Sequence, residues 1–262
     1  MHNSKLVKLL KSFSKDEFRE FGFFTASPFY NREKILVNFY NFLKKYYPSF
    51  EENNLDKRFV FSKLYPKKSY NDALLRNTIS DLLRLAEDFL KCVNFKNEIF
   101  YNRYSLLKEL TNRKQSELFK SNLTKAKSEL ESSGVRDEIY YHNVFLLEDE
   151  IRRNVIVNSS RVLFKDDNLN EQAKNLLIQQ LAENIKLYAI MLNQTKFIYD
   201  HKFDFSFLEI VREYIQNNYQ IFQNIPYIKI FYNCVMLFKT GEKKYFDELK
   251  IEIKKHYKLL TD

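Results

Sequence analysis

The chain has 262 residues, enough for one large domain or two small ones whose apolar core needs no cross-link. Its 43 basic and 34 acidic residues give a formal charge of +9, and the excess is concentrated in residues 1–50. Three glycines and four prolines are too few for the tight turns of a β protein. The composition therefore excludes a turn-rich β fold and favours long helices with short connections.

The chain shows no predicted membrane or export segment. Lysines are spread through the opening MHNSKLVKLLKSFS, which lacks the separate charged and apolar regions of a secretory signal. The longest apolar run, residues 225–238, is interrupted by Lys229 and Asn233 and is too short for a span. The cysteines, Cys92 and Cys234, lie far apart and are expected to be reduced. The sequence predicts a cytoplasmic protein.

Helical periodicity begins at Leu6 in a short first helix. Ser14 and Glu17 have the spacing of a capping box, which predicts the start of a second helix that buries Phe18 and ends before Pro28. Three further helices are predicted in the first hundred residues, at 32–46, 56–65 and 70–95.

The rest of the chain has the pattern of successive antiparallel helices, because the predicted links between helices contain only a few residues. The predicted helices span residues 99–111, 114–132, 137–158, 170–199, 205–218, 225–240 and 242–260. Two of them have a clear apolar stripe at helical spacing. These stripes are Tyr140, Val144, Leu147, Ile151 and Val155 in one helix, and Phe246, Leu249, Ile253, Tyr257 and Leu260 in the last.

The last predicted helix, 242–260, combines its apolar stripe with an outer face carrying Lys243, Lys250, Lys254 and Lys258. Terminal repeats of a stack need a polar outer face to remain soluble. We therefore expect this helix to bury its stripe and to cap a stack of helices.

Residues 231–253, FYNCVMLFKTGEKKYFDELKIEI, form two amphipathic helices separated by Gly241. This unit resembles a tetratricopeptide (TPR) hairpin, although small residues at the helix crossing are scarce and no 34-residue period is found. The predicted fold is an all-α, irregular TPR-like solenoid of stacked antiparallel hairpins. We predict an N-terminal helical domain at 1–98 and a repeat region at 99–262, or one continuous array.

A second resemblance covers the first hundred residues. The segments FFTASPFYN (23–31), FSKLYP (61–66) and LLRNTISDLLRLAEDFL (74–90) are similar to the N-terminal part of uncharacterised helical proteins of Bacteroidetes-type bacteria. The resemblance implies an all-helical fold in the bacterial cytoplasm, and it carries over no catalytic or binding residue.

The sequence assigns no catalytic, cofactor-binding or metal-binding residue. Each of the three glycines is isolated, whereas a phosphate-binding loop needs several close together. The cysteines and histidines lack the short spacing of a zinc site. The histidines lie at positions 2, 142, 201 and 256.

Arg136 and His142 fit the spacing of the catalytic motif in HEPN-type helical ribonucleases. Twelve arginines and four histidines predict roughly half a match of this kind by chance. The alternative interpretation is an arginine in solvent at a helix start and a partly buried histidine bonded to a neighbour.

The acidic run Glu148–Glu150 is followed by Arg152 and Arg153. We interpret it as a solvated helix face with i,i+4 pairs between Glu148 and Arg152 and between Asp149 and Arg153. A carboxylate site or a docking edge for a partner is the alternative.

Regular amphipathic helices without a convergent reactive set predict a non-catalytic scaffold that binds another protein or a peptide, and they imply no small-molecule substrate. Nucleic-acid binding is the alternative, because the pI is near 9.2 and residues 1–50 are basic. A HEPN-like ribonuclease that uses Arg136 and His142 is a third interpretation.

Overall fold

The structure is a computed structural model that describes residues 1–132, 134, 136–158, 169–197 and 202–257. Of these residues 81% are helical and none is in a strand, which confirms the all-α prediction. The internal contacts divide the chain into two compact units, Met1–Ile99 and Phe100–Asp262. We call them unit 1 and unit 2.

In unit 1 the longest helix, α5, packs against each of the four helices that precede it. The helices are α1 (Lys5–Lys11), α2 (Lys15–Ala26), α3 (Lys34–Lys44), α4 (Lys57–Leu64) and α5 (Asp72–Asn97), with a 3₁₀ turn at Glu52–Leu55 before α4. Phenylalanine and leucine side chains form one continuous core between them. Residues at its centre include Leu6, Phe21, Phe39, Leu43, Phe61, Leu75 and Leu82.

Capping side chains fix where the helices of unit 1 begin. The predicted capping box is present: the Ser14 hydroxyl accepts from the Glu17 amide at 3.2 Å, and the Glu17 carboxylate accepts from the Ser14 amide at 2.7 Å. Asp56 caps α4 and Asn71 caps α5 in the same way. Each cap satisfies amide groups that the first helical turn leaves free.

Gly22 in α2 allows α3 to approach closely. A β-carbon at this position would lie 2.5 Å from the ring of Tyr40, which is buried and donates a hydrogen bond to the Phe18 carbonyl at 2.9 Å. The same ring packs edge-on against Phe21. Any side chain at position 22 would therefore have to displace Tyr40.

In unit 2 the central helix α9 lies against α8, α10 and α12, and α12 in turn packs against α13. The helices are α6 (Ile99–Asn112), α7 (Ser116–Ser132), α8 (Glu138–Asn158), α9 (Leu169–Phe197), α10 (Ser206–Asn217), α11 (Tyr219–Phe222), α12 (Pro226–Thr240) and α13 (Lys243–His256). Gly241 ends α12 with a φ of 70°, a left-handed conformation that glycine adopts without steric cost.

The side of α8 that is most deeply buried is mainly polar. It consists of Asn143, Leu147, Glu150 and Asn154, whereas the rest of the predicted apolar stripe is partly exposed. The physical reason is that α8 packs against α7 and against α9, so neighbours cover two of its sides. The periodicity of apolar residues identifies one side of a helix and does not show that a second side is covered.

The expectation that α13 buries its apolar stripe is wrong. Its one buried residue is Glu252, whose carboxylate accepts from the Lys229 ammonium of α12 at 2.8 Å, while Phe246 and Ile253 are exposed. The ion pair places Glu252 on the side of α13 that faces α12, and Phe246 and Ile253 lie on sides that face solvent. The predicted positions Lys258 and Leu260 lie outside the described residues.

We expect Gly22→Ala to destabilise unit 1 by about 1–3 kcal/mol, the usual cost of overpacking a core. Chemical denaturation of the full chain measures this change. In a Tyr40→Leu background, which removes the ring, the same substitution should cost nothing, because alanine is the better helix former. An equal loss in both backgrounds would show that contact with Tyr40 is not the cause.

Candidate protein-interaction site

The structure places Arg136 just before α8 and gives its charge a partner. Its guanidinium donates to the Glu131 carboxylate at 2.8 Å and lies 4.1 Å from the centre of the Tyr140 ring. Burial, together with the Glu131 carboxylate, raises the pKa of Tyr140 to about 12. Arg136 therefore links the end of α7 to the start of α8.

His142, the other residue of the predicted ribonuclease motif, is half-buried on α8. Its Nδ1 atom is buried, and no described residue hydrogen-bonds to it. Arg136 contacts Glu131 and Tyr140.

The acidic run of α8 does not form the predicted solvated face. Its ion pairs have i,i+3 spacing, at 2.5 Å between Asp149 and Arg152 and at 3.1 Å between Glu150 and Arg153, and Glu150 is buried. Glu148 accepts from the Asn175 amide of α9 at 3.3 Å. Because α8 packs between two neighbours, this run lies partly between helices and is not a solvated face.

Within the described ranges, no three His, Cys, Asp or Glu side chains lie close enough to hold a metal ion. Cys92 in unit 1 and Cys234 in unit 2 are free thiols, and burial raises the pKa of Cys234 to about 11. None of the helices in the described part is long and apolar enough to cross a membrane. His201 and the predicted loop Asp166–Asn168 lie outside the described residues.

Unit 1 contains an open groove of about 1030 Å³ whose walls carry both charge signs. Lys57, Arg58 and Arg76 line it together with Glu52 and Asp56. The Lys57 ammonium is moreover 3.0 Å from the carboxylate of Asp72. The interspersed acids interrupt the continuous track of cations that a nucleic-acid backbone requires.

Helix α10 has two apolar faces, and only one of them is covered. Leu208, Val211 and Ile215 are buried in the core that α10 shares with α9 and α12. On another side, Phe207 and Ile210 are 61% and 64% exposed, and Tyr214 is exposed as well. The spacing of these three residues, three and then four positions, places them on one face. We call Phe207, Ile210 and Tyr214 the α10 face.

Polar contacts fix the rotation of α10 about its own axis. The Glu209 carboxylate accepts hydrogen bonds from the Tyr188 hydroxyl of α9 and from the Lys239 ammonium of α12. Arg212 adds an ion pair to the same carboxylate at 2.8 Å. Because these contacts tie Glu209 to α9 and α12, they hold the α10 face in its outward orientation.

The sequence located this helix, at 205–218, but did not identify its outer face as a site. A strong apolar pattern is normally explained by burial in the core, and periodicity does not show how many sides of a helix are covered. One signal was available: Phe207, Ile210 and Tyr214 form a second apolar stripe beside Leu208, Val211 and Ile215.

No family model, curated protein or solved structure matches this chain. The proposal for its function therefore rests on the positions and contacts of its own residues.

We expect Glu148→Gln to raise the stability of the protein at pH 7. Burial raises the pKa of Glu148, so its ionised form costs folding free energy above the pKa of the unfolded chain, and this cost disappears as pH falls below that value. The denaturation midpoint should exceed that of the wild type at pH 7 and equal it near pH 3.5, below the reference carboxyl pKa of about 4.3. Glu20→Gln, at an exposed position in α2, is the control and should change neither value.

We expect Arg136→Ala and His142→Ala to leave the rate of RNA cleavage unchanged at the background level of the wild type. The reason is that Arg136 is held by Glu131 and Tyr140. The measurement is cleavage of a labelled RNA by the purified full chain. Cleavage by the wild type that disappears in both variants would contradict the expectation and would support the ribonuclease interpretation.

Proposed function

We propose that the chain is a non-catalytic, bacterial cytoplasmic scaffold that binds another protein or a peptide, and that α8–α13 form an irregular TPR-like stack. The α12–α13 hairpin with its glycine turn supports this proposal. So do two pairs of consecutive helices that pack against each other, α8 with α9 and α12 with α13. Packing between consecutive helices is typical of repeat proteins. Two free thiols fit a reducing compartment.

The observation that carries the proposal is the uncovered α10 face. Exposed clusters of large apolar side chains mark surfaces that bind other proteins, because exposure to water costs about 25 cal/mol for each Å² of apolar area. The anchored Glu209 holds the face in one orientation before any partner arrives. A preformed face loses little conformational entropy on binding.

Helix α13 offers a second apolar surface in the same unit. Phe246 and Ile253 are exposed on it, and three exposed lysines lie along the same helix. The lysines are Lys243, Lys250 and Lys254. Unpaired apolar faces on two helices of one unit fit a scaffold that is covered by partners.

Nucleic-acid binding remains the alternative function, because the chain has a pI near 9.2. It predicts a mobility shift with single- or double-stranded nucleic acid at low salt that weakens steeply as salt rises. We expect no such shift at 50 mM salt, since carboxylates interrupt the basic groove of unit 1. A salt-dependent shift would contradict the scaffold proposal and favour this alternative.

We expect Ile210→Glu to abolish binding of the partner by the full chain. Placing a charge in the centre of an apolar interface removes the contact and leaves a buried charge unpaired. The measurement is quantitative mass spectrometry of proteins retained by the immobilised chain from native cell extract. The matched control is Gln216→Glu on another side of α10, where a glutamate can keep the contact with Arg212. If the wild type and Ile210→Glu retained the same proteins, the α10 face would not be the binding site.

A further inference from the structure

The loop between α2 and α3, residues 27–33, is held in one conformation by its own hydrogen bonds. The Tyr30 and Asn31 amides donate to the Ser27 carbonyl at 3.1 and 2.9 Å. The Asn31 side chain donates to the Thr25 carbonyl at 2.8 Å and accepts from the Glu33 amide at 2.8 Å. The loop is therefore rigid, and we call it the Phe29 loop.

The Phe29 loop exposes aromatic rings to solvent. Phe29 is 86% exposed and lies edge-on to Tyr30, with 5.0 Å between the ring centres. Tyr30 stacks on Phe24 at 3.9 Å, and Phe24 contacts the buried Phe89 at 5.6 Å. A chain of four rings thus runs from the core of unit 1 to the surface. Rings held in this way are suited to be binding hot spots, because little motion is lost when a partner packs on them.

A cavity of about 420 Å³ adjoins the loop. Tyr30, Cys92 and Phe95 line it together with Lys91 and Lys96. The Tyr30 hydroxyl lies 3.9 Å from the sulfur of Cys92, which fixes the wall between the loop and α5. The volume is at the lower end for ligand pockets and accommodates one large apolar side chain.

We propose that the Phe29 loop and this cavity form a docking site for a segment of a partner protein that carries one large apolar side chain flanked by acidic residues. The apolar side chain enters the cavity against Tyr30 and Phe95, and the acidic residues face Lys96. Charge complementarity carries the choice of an acidic segment, since Lys96 is exposed at the cavity wall and no carboxylate of a described residue lines the cavity.

The observations favour a protein segment over a nucleic acid. One of the two lysines, Lys91, already lies 2.8 Å from the Asp88 carboxylate, and Glu33 lies at the end of the loop. A nucleic-acid strand needs a run of unopposed cations along its path. The site belongs to unit 1 and is independent of the α10 face in unit 2.

Selection of phage-displayed random twelve-residue peptides on the immobilised full chain tests the proposal. We expect enriched peptides to contain an aromatic or aliphatic residue beside Asp or Glu. The affinity of the best peptide, measured by fluorescence anisotropy, should fall about 10- to 30-fold with Phe29→Ser, as for a hot-spot residue. Lys96→Glu should weaken the acidic peptide similarly and should favour a version with lysines in place of the acids.

Matched controls make the test specific. Phe59→Ser and Lys67→Glu change an exposed phenylalanine and an exposed lysine elsewhere in unit 1 and should leave binding unchanged, as should Ile210→Glu in unit 2. Circular dichroism of each variant verifies folding. The proposal would be overturned if the selected peptides shared no apolar residue beside an acidic one. It would also be overturned if Phe29→Ser bound the peptide as tightly as the wild type, or if an oligouridine displaced the peptide. Peptide binding that survives Ile210→Glu separates this site from the proposed function of the α10 face.

Discussion

The candidate site in unit 2 depends on the contacts that the Glu209 carboxylate makes with its neighbours. It ties α10 to Tyr188 of α9 and to Lys239 of α12, and Tyr188 is itself almost completely buried. The Glu209 side chain is partly exposed, and three side chains compensate the water that its carboxylate loses. An ionised group with so many partners allows few alternative rotations of its helix. The exposure of the α10 face follows from this anchor.

In unit 1, hydrogen bonds within a loop hold exposed apolar side chains in place. Its core is dense in aromatic rings, and hydrogen bonds of the Asn31 side chain fix the loop that leaves this core. The rings of the Phe29 loop are therefore displayed by a rigid support. In both units, apolar side chains reach the surface next to an element that cannot easily turn them inwards. This arrangement costs stability in the isolated chain and is offset when a partner covers the surface.

Most of the helices could be predicted from the sequence, because breakers are rare and caps such as Ser14 with Glu17 are local signals. The burial of individual faces could not. The stripe of α13 was predicted to be buried, but the Lys229–Glu252 pair holds the opposite orientation. The acidic run Glu148–Glu150 of α8 was predicted to form a solvated face, but Glu150 is buried and two neighbouring helices pack against α8. Both outcomes depend on tertiary contacts between distant residues, which the periodicity of one helix does not encode.

The central claim is that the α10 face is uncovered in the isolated chain and covered by a partner in the cell. Thiol labelling of Ile210→Cys, in a chain whose Cys92 and Cys234 are replaced by serine, tests it directly. The account predicts that the thiol at position 210 reacts as fast as in an unfolded peptide when the protein is pure, and at least about tenfold more slowly in native cell extract, as for an interface core residue. A thiol at the buried position Val211 should react slowly in both. Slow labelling of position 210 in the pure protein, or equal rates with and without extract, would contradict the account.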